Sequence, residues 1–361
     1  MGRAPSMIHA LINSFDQVWP PFALIAGLLL MGRVAASDGL FESVGARLAR
    51  IPGGGLVMFA ALMTLVALVT AVLNLDTSVV FLTPVLIHAA RQRGIKENAF
   101  LYGAIFMSNG ASLLLPGSNL TNILVLTTSP VRSHVFAGRM FLPWIASIVV
   151  ITLVLSVWRW KDLRSKPVGT VLSQPMHWGL GIVGICLAVV LVLTLRSPAL
   201  PILIAGVVLI SAQVWIARRL TSRQARTSLN ATTLLILMSV ALVFGVVARL
   251  WHGPAHLMST LGPWSSAGVG AGLANVVNNL PAAVLLSSKP LAHPLALLIG
   301  LDLGPNVLII GALSSMLWLR IARREGAHPS VRTFTTLGLV VTSCSMVVAL
   351  VTLQLVAAHA F

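Results

Sequence analysis

The chain has 361 residues, of which 57% are apolar and only 9% are charged. A soluble domain carries about 25% charged residues, so the composition excludes an ordinary soluble fold and predicts an all-α polytopic membrane protein. The net charge of +16 does not indicate a nucleic-acid partner. The basic residues lie in short segments between apolar runs, as they do in the loops of membrane proteins.

The first apolar runs predict a span and then a hairpin. The span is predicted at 21–38. The next apolar element starts at 55 and reaches the polar residues Asn74 and Asp76, and its return segment at 78–90 is only about 13 residues long. Because a helix needs about 20 residues to cross a bilayer, we predict a re-entrant helical hairpin at 55–90.

The rest of the chain continues this pattern and then repeats it. An interrupted helix is predicted at 98–128, broken around "LLPGSNLTN", and a full span at 135–158. Three further spans are predicted at 176–195, 198–217 and 230–250. A second hairpin at 264–290, a second interrupted helix at 295–321 and a closing span at 333–357 complete the prediction.

Two repeats of opposite orientation follow from this order. The first repeat is assigned to residues 1–166 and the second to 167–361. This inverted topology has two opposed re-entrant hairpins and two interrupted transmembrane helices, and it is typical of secondary transporters that bind solutes near the membrane midplane. The spans at 176–195 and 198–217 have no counterpart before residue 21, so the first repeat is expected to lack two N-terminal helices.

The charge distribution predicts which side faces the cytoplasm. Five loops fall on one side of the membrane if 55–90 is a hairpin, and they hold most of the 24 Lys and Arg residues. By the positive-inside rule this side is cytoplasmic, which places the protein in the cell membrane. The five loops are 39–54, 91–97, 159–166, 218–226 and 320–332.

Only two of the eight acidic residues lie at membrane depth, namely Asp76 and Asp302. A charged side chain at the bilayer centre costs at least ~2.5 kcal/mol on insertion scales, so such residues usually function or are paired. We predict that Asp76 carries the coupling proton and that Asp302 either shares this proton-coupling role or organises the second broken helix. The alternative is that each carboxyl group caps a broken helix by accepting bonds from freed backbone N–H groups, and a cap can also carry a proton.

Amides and hydroxyls cluster near the same two acids. They offer donors and acceptors without charge, which suits a small polar solute beside half-helix ends. The alternative is that they join neighbouring helices by hydrogen bonds. The cluster consists of Asn74, Thr77, Asn109, Ser112, Ser118, Asn119, Thr121 and Asn122 in the first half and Asn275, Asn278, Asn279 and Asn306 in the second. Prolines beside the clusters predict helix breaks at Pro84, Pro116, Pro281 and Pro305.

Catalytic and metal-binding signatures are missing from the sequence. It contains no GxxxxGK[ST], HExxH or GxSxG motif, so neither ATP hydrolysis by this chain nor another enzyme activity is expected. Its two cysteines, Cys186 and Cys344, lie in predicted spans without metal-site spacing. We therefore expect no metal site, no disulfide and no cofactor.

Four segments resemble the arsenite efflux permeases, also called arsenical pump membrane proteins, within the ion transporter superfamily that includes the divalent anion–sodium symporters. These segments are "NLDTSVVFLTPVLI", "SNLTNIL", "VVNNLPAAVLL" and "LDLGPNVLIIGALSSMLWL". The resemblance covers about residues 18–358, and 301–319 is its most specific part. It implies export of arsenite or antimonite driven by the proton-motive force.

The resemblance also implies which residues form the site. Members usually begin with two further helices, which agrees with the repeat comparison. The resemblance leaves two partners open besides the lipid bilayer. One is a soluble ATPase subunit, which some members have, and the other is a second copy of the chain in a homodimer. The implied site residues are Asn74, Asp76 and Thr77 at the first tip, Ser118, Asn119 and Asn122 at the first interruption, Asn278, Asn279 and Pro281 at the second tip, and Asp302, Gly304, Pro305 and Asn306 at the second interruption.

The leading hypothesis is therefore a proton-coupled exporter of arsenite or antimonite. One alternative is a sodium- or proton-coupled carboxylate transporter, or a sodium transporter, of the same superfamily. An anionic substrate would favour a basic residue near a tip, and neither tip contains one. A non-transporting, truncated membrane protein is the other alternative.

Overall fold

All regular elements in the described part of the chain are helical. A computed structural model describes residues 7–164, 179–195, 197–227, 231–251 and 253–358. The predicted boundary between the repeats at 166/167, the end of the predicted loop 159–166 and the start of the predicted span 176–195 lie outside the described residues.

The helices follow one another in three groups. The first group is α1 (Met7–Ser37), α2 (Leu40–Ala49), α3 (Gly55–Val72), α4 (Leu75–Gln92), α5 (Asn98–Ala111), α6 (Leu120–Thr128) and α7 (Ser133–Trp158). The second group is α8 (Trp160–Leu163), α9 (Leu180–Thr194), α10 (Ala199–Trp215), α11 (Ser222–Thr227) and α12 (Ala231–Leu250). The third group is α13 (Gly253–Thr260), α14 (Pro263–Val277), α15 (Asn279–Leu286), α16 (Pro294–Leu303), α17 (Leu313–Arg324) and α18 (Val331–Ala358).

Four of the described helices are long and apolar enough to cross a membrane. They are Leu11–Ser37 within α1, and α3, α7 and α18. Three shorter apolar helices lie at Leu180–Val192, Ala199–Trp215 and Leu234–Ala248. Together with the composition, these helices make the chain a multi-pass membrane protein.

The predicted hairpins and helix interruptions are present as helix breaks. Only Leu73 and Asn74 separate α3 from α4, and only Asn278 separates α14 from α15. A 3₁₀ turn at Pro116–Ser118 interrupts the segment between α5 and α6. Two such turns, Gly304–Asn306 and Ile309–Gly311, interrupt the segment between α16 and α17.

Two of the four proline predictions are wrong. Pro84 lies inside α4, which continues without interruption from Leu75 to Gln92. The return segment of the first hairpin is therefore 18 residues long and not about 13. Pro281 lies in the first turn of α15, and the break itself is at Asn278. A proline removes one backbone N–H donor. In the first turn of a helix, where Pro281 lies, that donor has no partner within the helix anyway. A helix packed against its neighbours, such as α4, tolerates the loss at Pro84.

Two boundaries near the N-terminus also differ from the prediction. The first helix begins at Met7 and passes through Pro20 and Pro21, whereas the predicted span starts at 21. The predicted loop 39–54 contains α2, a short amphipathic helix whose apolar residues are too few to register as a span. The helix α2 packs against α3 and α4 and so extends the first hairpin's contacts.

The basic loops contact one another at one end of the molecule. Lys96 pairs with Asp162 at 3.0 Å, and Arg93 donates a hydrogen bond to the carbonyl of Gly53 at 3.4 Å. His88, at the end of α4, lies 3.1 Å from Glu325, which follows α17. Since four of the five predicted loops or their flanking helix ends are joined by these contacts, they share one side.

The two hairpins start from opposite ends of the bundle. The hydroxyl of Tyr102 bonds Ser330 at the start of α18, on the side of the basic loops. Pro263 and His293, which flank the second hairpin, line one cavity together with Gln354 near the other end of α18. The hairpins are therefore opposed, in agreement with the predicted fold class.

A separate group of helices packs around α1. Leu28 and Met31 of α1 bury against Ile202 of α10 and Val192 of α9. At the end of this group, the carboxylate of Asp38 accepts hydrogen bonds from the Gly181 N–H at 2.7 Å and from Gln213 at 2.8 Å. Arg219 completes the cluster at 3.3 Å, so three helices or their ends are held at one buried acid.

Close backbone contact positions the second interruption. A Cβ atom on Gly300 would lie 2.0 Å from the carbonyl oxygen of Ala267, and one on Gly304 would lie 2.5 Å from the Cα of Ala271. Small residues four apart on α14 and α16 thus face each other, which is how membrane helices approach most closely.

We expect Gly300→Ala to destabilise the protein by about 1–3 kcal/mol, because its methyl group must displace the backbone of α14. The matched control is Gly268→Ala, since a Cβ there meets nothing within 4 Å. Thermal unfolding of both variants in detergent measures the difference. Equal melting temperatures would show that the helices separate without penalty.

Candidate functional site

Each hairpin tip is an asparagine with positive φ. Asn74 has φ 151° and Asn278 has φ 80°, and each is the N-cap of the helix that follows. The side chain of Asn74 accepts a hydrogen bond from the Thr77 N–H at 2.7 Å, and that of Asn278 accepts one from the Leu280 N–H at 3.3 Å. With ψ 171° and 150°, both tips lie outside the left-handed α region that asparagine favours, so the backbone is strained at both places. The asparagine side chain supplies the cap acceptor at each tip.

The two tips meet at a small cavity of about 30 Å³. That volume holds about one or two water-sized groups. The side chains come from both hairpins and both interrupted helices, and none of them is basic. They are Leu75, Asp76, Asn119, Leu120, Thr121, Asn278, Asn279, Leu280, Ala312, Leu313 and Ser314.

The carboxyl group of Asp76 faces this cavity without a protein partner. Asp76 is the second residue of α4 and is half-buried. Within the described residues, its carboxylate oxygens accept no hydrogen bond and pair with no cation. It is therefore the ionisable group that a bound solute or proton can reach most directly.

Asp302 has the opposite environment. It lies in the last turn of α16, is almost fully buried, and accepts hydrogen bonds from three residues of the first interrupted helix. The donors are Thr121 at 2.7 Å, Asn119 at 2.8 Å and Ser112 at 3.2 Å. The acid does not cap its own helix but joins the second interrupted helix to the first.

A second contact joins the same two helices. The side-chain amide of Asn109 donates to the Asn306 oxygen at 2.7 Å, and Ser314 donates to the Asn109 oxygen at 3.4 Å. Asn122 donates to the carbonyls of Ser112 and Leu115, which the interruption leaves without helical partners. The interruptions are thus held by side chains that lie far apart in sequence.

Each hairpin is also fastened to the interrupted helix of its own repeat. Ser118 donates to the carbonyl of Ala71 at 2.7 Å in the first repeat. In the second, Asn275 donates to the Gly304 carbonyl at 2.8 Å and accepts from the Leu308 N–H at 2.9 Å. Asn278 donates to the Ile310 carbonyl at 3.0 Å.

Several buried polar atoms around the tips have no partner among the described residues. They are Asn74 Nδ2, Thr77 Oγ1, Asn122 Oδ1 and Asn306 Nδ2. Buried polar groups normally form hydrogen bonds, so each of these atoms can still bind a water molecule or a polar solute.

The predicted site residues fall into three positions. Asp76, Asn119, Asn278 and Asn279 line the cavity. Asp302, Asn306, Ser118 and Asn122 form the hydrogen-bonded layer behind it. Thr77 contacts Gly32 of α1, and Gly304 packs on Ala271, so both lie away from the cavity.

Sequence reasoning missed Ser314, which lines the cavity at the first turn of α17. The signal that could have found it is its position directly after the second interruption, which matches that of Thr121 after the first. Ser112 and Thr121 belonged to the polar clusters, but their contact with Asp302 could not be read from the sequence.

Comparison with known proteins agrees with this architecture. A family model described as citrate transporter matches residues 6–311. An uncharacterized transporter of Mycobacterium tuberculosis is 26% identical over 372 residues, which cover 93% of this chain and 86% of the relative. The arsenical pump membrane protein of Escherichia coli K12 is 25% identical over 372 residues, covering 94% of this chain and 86% of the relative.

A solved transporter has the same fold. The crystal structure of the YdaH transporter of Alcanivorax borkumensis, described as having an unusual topology, matches with a TM-score of 0.63. The match covers 98% of this chain and 88% of the other at 18% sequence identity. The sequence-based resemblance to arsenical pump membrane proteins is confirmed, and the relatives indicate a transport protein and not an enzyme.

We expect Thr121→Val to destabilise the protein by about 1–2 kcal/mol, because a buried carboxylate loses its shortest hydrogen bond. The control is Thr127→Val in the same helix, where the hydroxyl is exposed and bonds only the Ile123 carbonyl. Melting temperatures in detergent compare the two. If Thr127→Val is equally destabilising, the Asp302 contact is not what holds α6.

Proposed function

The chain belongs to the citrate transporter family, and on that premise we propose that it exports arsenite or antimonite across the cell membrane in exchange for protons. Membership makes it a membrane transporter of small ions or acids. The substrate, the coupling ion and the direction are the proposal. Relatives named arsenical pump membrane protein, which match almost the whole chain, support the choice of substrate.

The observation that carries the proposal is the chemistry of the cavity between the tips. Six polar residues and five apolar ones line about 30 Å³. The polar residues supply amides, hydroxyls and one unpartnered carboxylate, and none of the eleven is basic. A hydroxylated, uncharged arsenic or antimony species can both donate and accept hydrogen bonds there, and the cavity must widen to admit its three hydroxyl groups. Citrate carries three carboxylates, which would meet Asp76 without a compensating cation.

The two acids take different roles in this proposal. Asp76 carries the coupling proton, because its carboxyl group faces the cavity and has no protein partner. Asp302 organises the site, because its oxygens already accept bonds from Ser112, Asn119 and Thr121. Intramembrane acids mark the proton relays of pumps and transporters.

We assign the end that carries the joined basic loops to the cytoplasm. The positive-inside rule supports this side. The hairpins α3–α4 and α14–α15 are then re-entrant from opposite faces, and their asparagine tips meet near the midplane. An accompanying ATPase subunit and a homodimer remain proposals that follow from the family resemblance alone.

A carboxylate transporter is the second candidate, because the matching family model is described as a citrate transporter. Such a protein would need a cation to balance its substrate, and sodium could supply it. The two candidates therefore differ in their response to sodium and to citrate.

In everted membrane vesicles with an imposed pH gradient, Asp76→Asn is expected to reduce arsenite uptake to the level of vesicles without the protein. The amide keeps the shape of the side chain but cannot carry a proton. Asp16→Asn, which changes an exposed acid of α1, serves as the control and should transport normally. Normal proton-driven uptake by Asp76→Asn would remove the assigned role.

We expect arsenite uptake by the wild-type protein to be insensitive to sodium and to excess citrate. The cavity holds no cation that would bind a carboxylate, so citrate should not compete. Radiolabelled citrate uptake in the same vesicles, with and without sodium, provides the direct comparison. Sodium-dependent citrate uptake that arsenite does not inhibit would favour the second candidate.

A further inference from the structure

The helix α17 has an exposed face on which apolar residues and arginines follow one another. Its opposite face buries Ser314, Ser315, Trp318 and Ala322. The exposed face borders a shallow concavity of about 430 Å³. We call it the α17 arginine face, and it consists of Met316, Leu319, Arg320, Arg323 and Arg324.

The arginines of this face lack partners in the protein. Other arginines of the basic end are paired: Arg91 with Glu97, Arg159 with Asp162 and Arg219 with Asp38. Within the described ranges, by contrast, the guanidinium groups of Arg320, Arg323 and Arg324 form no hydrogen bond or ion pair. Three like charges on one helical turn repel one another, so an anion at this place is favourable.

The position of the apolar residues identifies the kind of anion. Residues 316, 319, 320 and 323 are three or four apart and therefore share one side of the helix over about 10 Å. Met316 is 41% exposed beside the arginines. The arginines lie at the basic end of α17 and Met316 lies toward its start, so a lipid whose phosphate binds the arginines would cover Met316 with its acyl chain.

We propose that the α17 arginine face binds an anionic phospholipid of the adjacent leaflet. The phosphate lies among the guanidinium groups of Arg320, Arg323 and Arg324. The acyl chain runs along Leu319 and Met316 toward the membrane centre. Arginine suits this role, since its planar guanidinium donates two parallel hydrogen bonds to a phosphate.

One short helix, α17, connects the arginine face to the cavity between the hairpin tips. The first residues of α17, Leu313 and Ser314, line the cavity between the hairpin tips. The helix has 12 residues and is therefore about 18 Å long. A phospholipid that fixes the far end of α17 thus restrains the half-helix that closes one side of the cavity.

The test uses the full chain, purified and reconstituted in nanodiscs of phosphatidylcholine with increasing phosphatidylglycerol. Native mass spectrometry counts the phosphatidylglycerol that stays bound and gives its affinity. The variant is R320Q/R323Q/R324Q. The matched control is R47Q/R218Q/R332Q, which removes the same charge from exposed arginines of the chain outside the face.

A basic residue at an anionic surface contributes about 1 kcal/mol, or about five-fold in affinity, so the variant should bind phosphatidylglycerol roughly a hundred-fold more weakly. The control should stay within about five-fold of the wild type. Equal losses in both triple variants, or no preference for phosphatidylglycerol over phosphatidylcholine, would overturn the proposal. So would binding of inorganic phosphate in lipid-free detergent that matches phosphatidylglycerol in affinity, because the face would then take soluble anions. The measurement needs no substrate, so it stands apart from the outcome of the transport assays.

Discussion

The hydrogen bonds between Asp302 and the first interrupted helix are the interaction on which the site depends. Two helices that stop inside a membrane expose backbone groups that lipid cannot satisfy. Here the acid at the end of one helix accepts bonds from Ser112, Asn119 and Thr121 around the start of the other. The two interruptions thereby stabilise each other.

This arrangement explains why Asp302 accepts several hydrogen bonds whereas the carboxyl group of Asp76 has no protein partner. Asp302 can be buried because neutral donors surround it, and a fully bonded acceptor fixes the geometry of its neighbours. Asp76 lies at the first turn of a helix, where the backbone dipole favours a negative charge. Its side chain can therefore face the cavity without a bonded partner.

Much of this architecture could be predicted from sequence because it depends on rare residues in a lipid-like composition. Asn74, Asn278, the pair Pro116–Gly117 and the pair Gly304–Pro305 stand out among apolar residues, and each marks a true break. Proline alone is a weaker signal, since Pro20, Pro21 and Pro84 lie inside continuous helices. Helix continuity at these positions depends on neighbours that a local pattern does not reveal.

The hydrogen-bond partners of the site residues could not be predicted from the sequence. Asn109 and Asn306 are separated by 197 positions, and Thr121 and Asp302 by 181. Polar clusters indicated that these residues gather in the membrane, but not which amide meets which carboxylate. Small-residue contacts such as that of Gly300 with Ala267 were likewise invisible, because they depend on how two distant helices cross.

The fastening of the hairpins differs between the two repeats. In the second repeat, Asn275 and Asn278 use amide groups to bind three backbone groups of the second interruption. In the first, the described contact to the interruption is the Ser118 hydroxyl on the Ala71 carbonyl. A rotating hydroxyl restrains direction less than a planar amide does, so the two joints have unequal stiffness. The hairpin that opens toward the basic end is consequently the less firmly held of the two at its interruption.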